Sequence, residues 1–258
     1  MAVTAYPRPL SVPGRDGLCH RGPVRLPEPP SAGGGPADLA ALVRRLQADP
    51  RPRLTWYGPD GARVELTGRV LVTWVAKTAH LLAEEADVVP GSLVAVRLGA
   101  DWRAPVFWLA AGYLGAEVHD AGAGPAGGPP PRAGGTAGAD VEVVGQDEVL
   151  GTGAAGPTSA AVRVVVPHEA VAAPLPGLPA GCVDYGGEVS GFPDVLPAPG
   201  PRAPLATTDG PARRVLLGPG ATAGQVLAAW AAGGSVVLHA GLGEQALARV
   251  AEQERTDA

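Results

Sequence analysis

Five histidines, two cysteines and one glycine-rich turn are the residues in this chain whose types could do chemistry. His20, His80, His119, His168 and His239 are scattered, without the i, i+4 pairing or carboxylate spacing by which metal sites are built, so no metal site is expected. Cys19 and Cys182 are too few for a disulfide framework and read as plain thiols of a reducing compartment. No Gly-x-Ser-x-Gly occurs, because Gly187 to Ser190 has one residue too many, so a hydrolase elbow has no support. His168-Glu169 follows a strand pattern and reads as loop. Gly218-Pro219-Gly220-Ala221-Thr222-Ala223-Gly224 follows a strand and opens a helix, close to a dinucleotide fingerprint with one extra residue. Exposed helix amides there could hold phosphate. The acidic residue expected at the end of the next strand is missing, however, since that strand ends at His239-Ala240, and a tight strand-to-helix turn explains the glycines equally well.

The elements that must position these residues follow from composition and period. The 258 residues include 38 Gly and 29 Pro, about a quarter of the chain, yet 46% are apolar, enough for a sizeable core. Basic residues are 19 Arg and the single Lys77, and the net charge of -5 disfavours a nucleic-acid partner. The first residues show no apolar run of signal-peptide length, so a cytoplasmic protein is expected. Val215 to Gly243 lacks Asp, Glu, Lys and Arg, but Gly218-Pro219-Gly220 and Gly233-Gly234 confine its apolar helix far below the ~20 residues of a membrane span.

Residues 1 to 36, dense in Pro and Gly, read as a disordered head. Leu39, Leu42, Val43 and Leu46 fall at helical spacing. Leu54 to Tyr57 and Ala62 to Leu66 flank Gly58-Pro59-Asp60-Gly61 as a hairpin. Thr67 can cap a helix with one face of Leu71, Trp74, Val75, Thr78, Ala79 and Leu82. Leu93 to Leu98, Trp102 to Leu114 and Ala116 to His119 make a strand, helix and strand crossover, and 37–120 is taken as a first α/β unit. A loop of Ala, Gly and Pro over 121–139 separates it from 140–258, where strands at Val141 to Val144 and Ala161 to Val166 precede a second crossover. That one runs Arg214 to Leu217, Thr222 to Ala232 and Ser235 to His239, with Gly233-Gly234 standing where Gly115-Ala116 stood. The expectation is a layered α/β fold in which crossover helices cover a mostly parallel sheet.

Three spaced patterns, in this order, carry a resemblance: Leu66-Thr67 with Leu71, Val75 and Ala79; Val88, Pro90-Gly91-Ser92 and Val94-Ala95-Val96; Leu109-Ala110, Gly115-Ala116 and Val118. They resemble the opening of the adenylate-forming superfamily, the AMP-dependent synthetases and ligases including acyl-CoA synthetases, and most closely its short actinobacterial branch. The likeness covers roughly 37–120 well and 140–240 more loosely, and implies a fold truncated to the N-terminal half. That family wraps ATP triphosphate in a Tyr followed by a Ser/Thr/Gly-rich loop ending Gly-x-Pro-Lys. The counterpart implied here is Tyr185-Gly186-Gly187-Glu188-Val189-Ser190-Gly191-Phe192-Pro193-Asp194. Tyr185, Gly191 and Pro193 keep the frame, while Glu188 and Asp194 put carboxylates where the family has Gly and Lys. Like charges in a dry cleft repel, so the loop is expected to reject triphosphate. The family's aromatic-His element falls on Gly220-Ala221, and the chain ends at Ala258 before the adenine and ribose motifs.

The resemblance therefore implies no catalytic residue and no cofactor, and a degenerate phosphate loop. Any surviving pocket is expected at Trp102, Gly218, Gly220 and Ala221, outside the strand ends. The partner is either an unidentified protein or a small acyl or adenosine-like ligand. The alternative is an acyl-activating enzyme completed by another chain.

Overall fold

The structure, a computed structural model, describes residues 35–59, 61–121, 138–151, 160–168, 173–205 and 210–256. All lie in one compact unit spanning 34–258. The expected head thus falls, but for residues 35 and 36, outside the described residues, as does 122–137 of the Ala/Gly/Pro loop.

The first helix, α1 (Leu39–Gln47), starts where the Asp38 carboxylate accepts the Ala41 N–H at 2.7 Å, and it buries the predicted stripe of Leu39, Leu42, Val43 and Leu46. Strands β1 (Pro52–Tyr57) and β2 (Arg63–Thr67) form the hairpin, and Thr67 caps α2 (Gly68–Glu84). A Cβ at Gly68 would stand 2.3 Å from the Leu46 carbonyl oxygen, so only glycine lets α2 begin against the end of α1. The first crossover is β3 (Leu93–Arg97), α3 (Ala104–Tyr113) and β4 (Glu117–Asp120). Every residue of α3 is buried, which is why its sequence shows no polar face. Then come β5 (Val141–Gly145), α4 (Asp147–Leu150), β6 (Val162–Val166), β7 (Cys182–Asp184) and α5 (Tyr185–Glu188). The second crossover is β8 (Arg214–Leu217), α6 (Ala223–Ala231) and β9 (Ser235–His239), followed by α7 (Glu244–Glu254).

The two crossovers share one local device. Gly115 and Gly233 both take positive φ, 83° and 85°. In each, the next residue donates back five positions, Ala116 N to Ala111 O and Gly234 N to Ala229 O, and closes the helix for the return strand. Gly234 is fixed again by crowding, since a Cβ there would meet the Arg213 carbonyl oxygen at 2.1 Å.

The layered, mostly parallel α/β fold is as read from the sequence, but the strands form two sheets where one was expected. One has the order β2-β1-β9-β8 and the other β4-β3-β5-β6-β7. Among the strands of the described residues, the hairpin is the antiparallel pair and the rest run parallel. The hairpin leaves its chain neighbours and adds β1 to β9 in parallel, pairing Leu54 with Val236 and Tyr57 with His239. Helix α2 packs on β1 and β2, α3 packs on β3 and β4, and the two helices pack on each other, so this pair lies between the sheets. Its interior is Leu71, Val75, Leu82, Phe107, Leu109 and their neighbours, each fully buried and contributing ~1.5–3 kcal/mol by leaving water.

Buried ion pairs hold the margins of this core. Arg53 reaches Asp49 and the carbonyls of Gly233 and Gly234, and Arg45 reaches those of Trp230 and Ala231, so two guanidiniums meet the C-terminal end of α6. The hydrogen bonds from Arg51 and Arg53 hold the Asp49 carboxyl well below the usual carboxylate range. In the other sheet, Glu142 on β5 accepts from Arg97 at 2.8 Å and Arg163 at 2.9 Å. No helix of the described residues is long and apolar enough to cross a membrane.

Candidate functional site

The residues from Asp184 to Asp194 do not form an open loop. They wind into α5 and a 3-10 turn, Val189–Gly191. The Asp184 carboxylate starts this turn by accepting the Gly187 N–H at 3.0 Å, while its other oxygen accepts the Leu175 N–H at 2.7 Å. Glu188 turns back to accept the Asp184 N–H at 3.2 Å, and burial raises its carboxyl above the ordinary value. Tyr185 is fully buried. Its hydroxyl meets Thr78 Oγ1 at 2.9 Å, its ring lies 4.9 Å from that of Phe107, and burial drives its phenol pKa up.

The glycines of this segment serve different ends. A Cβ on Gly186 would lie 2.0 Å from the Ala173 carbonyl oxygen, and one on Gly187 2.7 Å from Asp184, so both are packing glycines. Gly191 faces open space and is under no such constraint. Lys77 reaches from α2 to the Ser190 carbonyl at 3.1 Å, the Phe192 carbonyl, and Asp194 Oδ1 at 2.8 Å. The Asp194 carboxylate, expected from sequence as a bare negative charge, therefore has a cation beside it, supplied by a residue 117 positions away in the chain. Amides that would cradle a phosphate are engaged: Gly187 N with Asp184, Val189 N with the Tyr185 carbonyl, and Phe192 N with the Val189 carbonyl at 3.4 Å.

The turn from Gly218 to Gly224 is occupied in the same sense. Thr222 and Gln225 form a reciprocal capping box, and the Ala223 N–H donates to the carboxylate of Asp120, at the end of β4, at 2.9 Å. A protein carboxylate sits where an anionic ligand would meet the N-terminus of α6. Gly218 packs on His239, whose Nε2 a Cβ would meet at 3.0 Å. Ala221 is buried. Trp102 is buried too, edge-on to Trp74 of α2 at 5.3 Å with the Arg103 guanidinium over its ring.

The histidines stay apart. His80 pairs with Glu84 at 3.1 Å and with the Val195 carbonyl, and His168 pairs with Asp147 at 2.7 Å. His119 stands on the edge strand β4. His239 is buried, accepts the Leu242 N–H on Nδ1 at 3.2 Å, and is depressed in pKa by burial. Cys182 is half-buried on β7, and burial pushes its thiol up. His20, Cys19 and Glu169 lie outside the described residues. Among the described residues, no group of three or more His, Cys, Asp or Glu is placed to hold a metal ion.

A cavity of about 460 Å³ opens elsewhere, at the C-terminal ends of strands from both sheets. Trp56, Leu98, Ala100, Asp101, His168 and Ala240 line it, with Pro59 and Ala62 of the hairpin turn at its side. Trp56 joins the sheets by donating its indole N–H to the Ala100 carbonyl at 2.7 Å. None of the residues named from sequence for a pocket, Trp102, Gly218, Gly220 and Ala221, is among those lining this cavity. Sequence reading missed Trp56 on β1 and Leu98, His168 and Ala240, which lie just beyond the ends of β3, β6 and β9, because no local pattern records which strand ends converge.

The fold with these features is that of the N-terminal region of adenylate-forming enzymes. Brucella canis acyl-CoA synthetase superposes with a TM-score of 0.67 at 17% identity, over 87% of this chain and 47% of that one. The amide bond synthetase McbA of Marinactinospora thermotolerans gives 0.57 at 21% identity over 85% and 47%. The N-terminal domain of FACL13 from Mycobacterium tuberculosis gives 0.60 at 14% over 85% and 61%. In sequence, a Mycobacterium tuberculosis protein described as a TIGR03089 family protein is 38% identical over 81 residues, 31% of this chain and 33% of that protein. No family model matches. The chain thus spans about half the length of the synthetases whose fold it shares, and a third of that relative is matched.

Proposed function

We propose that this protein is a catalytically degenerate member of the adenylate-forming fold, acting as a non-enzymatic interaction or small-ligand binding module. The observation that carries the reading is the segment from Asp184 to Asp194. Lys77, the Asp184, Glu188 and Asp194 carboxylates and the Gly187, Val189 and Phe192 amides already have protein partners, so a triphosphate entering there must break protein hydrogen bonds and pass Glu188 and the Lys77-paired Asp194. Each hydrogen bond so broken costs about 0.5–1.5 kcal/mol. The reading of an acyl-activating enzyme completed by another chain draws support from the half-length match to the solved synthetases. It still requires the same turn to open.

Pyrophosphate release with ATP, Mg²⁺ and a panel of carboxylic acids tests the proposal. No release above a protein-free control is expected. Turnover that disappears in Asp194→Ala would overturn it and favour the enzyme.

A further inference from the structure

We infer that His239 is a proton-operated pin for the turn 240–243. The neutral ring holds this turn and the start of α7 in place, and a proton on the ring releases both while the far end of α7 stays attached. This goes beyond the reading above and does not depend on it, since no part of it involves the segment 184–194.

The pin is one hydrogen bond with a fixed direction. His239 Nδ1 accepts the Leu242 N–H at 3.2 Å, so Nδ1 carries no proton and the neutral ring holds its hydrogen on Nε2. A second proton can enter only at Nδ1. It would set one N–H against another, and the bond would be lost. The ring has little room to turn away: it is 8% exposed, and the backbone of Gly218 lies against its other edge, where a Cβ would meet Nε2 at 3.0 Å and Cε1 at 3.3 Å. The turn is the part that can yield, since Gly241 and Gly243 are exposed.

The start of α7 hangs on this turn. No side chain caps the helix there, and Gly243 supplies the carbonyl that accepts the Leu247 N–H at 2.9 Å. At the other end, Glu254 accepts from Arg63 at 3.0 Å, from the Tyr57 hydroxyl and from Arg214. Burial raises the Glu254 pKa, but these hydrogen bonds outweigh it and hold the carboxyl below its ordinary value, so this latch keeps its charge when the ring takes a proton.

No neighbouring charge offsets the burial of His239, which lowers its pKa from 6.5. Helix α6, packed on β9, carries no charged residue. On the flanking strands, Arg53 and Arg214 stand at the opposite ends, engaged with Asp49 and Glu254, and Tyr57, the register partner of His239, is tied to Glu254 and Arg63. Glu244, in the first turn of α7, is exposed. Ala240 opens the turn and also lines the cavity beneath Trp56, with Asp101 and His168, which are held by Arg103 and Asp147. Release of the turn therefore changes one wall of that cavity.

Native-state hydrogen exchange on the full chain, read residue by residue and corrected for its intrinsic pH dependence, tests the pin. As pH falls from about 6.5 toward the folded midpoint of the ring, protection of the Leu242 and Leu247 amides is expected to drop by up to ~tenfold per pH unit, while that of Val237 inside β9 does not follow. Ring nitrogen resonances are expected to place the proton on Nε2 at neutral pH and to titrate together with the Leu242 amide. His239→Asn keeps an acceptor near the Nδ1 position and cannot take a proton, so Leu242 is expected to stay protected across the same range. The ring resonances need no variant and keep the test alive if that one does not fold. Constant Leu242 protection in the unaltered protein, loss of Val237 protection by the same factor, a proton on Nδ1 at neutral pH, or the same pH response in His239→Asn would overturn the inference.

Discussion

The turn at Asp184 to Asp194 and the cavity beneath Trp56 both lie beyond the C-terminal ends of parallel strands, where open α/β folds gather their ligands. They differ in what was done with the polar groups. In the turn, the Asp184 carboxylate takes two backbone N–H groups, Glu188 takes a third, and Lys77 bonds two carbonyls and Asp194. Around the cavity, Asp101 and His168 are also partnered, yet they border empty volume. Position at a strand end therefore does not by itself leave room for a ligand.

The largest effect that would break this contrast is on stability. Tyr185→Ala removes a fully buried ring packed on Phe107 and is expected to cost about 3–5 kcal/mol, measured by denaturant unfolding. Tyr185→Phe, which leaves the Thr78 hydroxyl without that partner, is expected to cost about 1 kcal/mol. A residue of an open nucleotide loop would show neither loss. Asp184→Ala strips two backbone N–H groups of their acceptor and is expected to cost about 1–2 kcal/mol, again by equilibrium unfolding.

These predictions rest on features unequally legible in the chain. The crossovers were readable because Gly115 and Gly233 punctuate them, and only glycine takes the positive φ that turns a helix end toward the next strand at low cost. The stripe of α1 and the cap of α2 follow from period and from Thr67 alone. The second sheet was not readable, because β1 and β9 are joined across some 180 residues and no local pattern records which strands pair at that distance. Trp102 was read as a cleft wall. Its side depends on the rotation of the turn before α3, which leaves it on Trp74. The residues of the Tyr185 segment were identified by resemblance, but the grip of Lys77 was invisible, since it comes from a helix whose relation to that segment is tertiary.

A smaller effect tests the buried ring beside Gly218. Burial lowers the pKa of His239 from 6.5, so the fold favours the neutral ring while the unfolded chain binds a proton at higher pH. Stability is then full above about pH 6.5 and falls as pH drops through the window between that value and the folded one, by at most ~1.4 kcal/mol per pH unit. His239→Gln is expected to flatten this part of the profile in thermal melts from neutral to mildly acid pH. The smallest effect belongs to Asp194, which is 66% exposed. Asp194→Asn is expected to change stability by ~0–1 kcal/mol in denaturant titration, since Lys77 keeps its two carbonyl partners. A larger loss would make the ion pair, and not the hydrogen-bonded turn, the closure of this segment.

The closed turn is tested most directly by titrating ATP and Mg²⁺ into isotopically labelled protein and following the backbone amide resonances of Gly186, Gly187 and Gly191. These three should not move in a saturable way, because Asp184 holds the Gly187 N–H, the turn around it is closed, and Glu188 and Asp194 put carboxylates in the path of the phosphates. Saturable shifts at all three, abolished by Lys77→Ala or Asp184→Ala, would mean that the turn opens to hold triphosphate and that the degenerate reading is wrong.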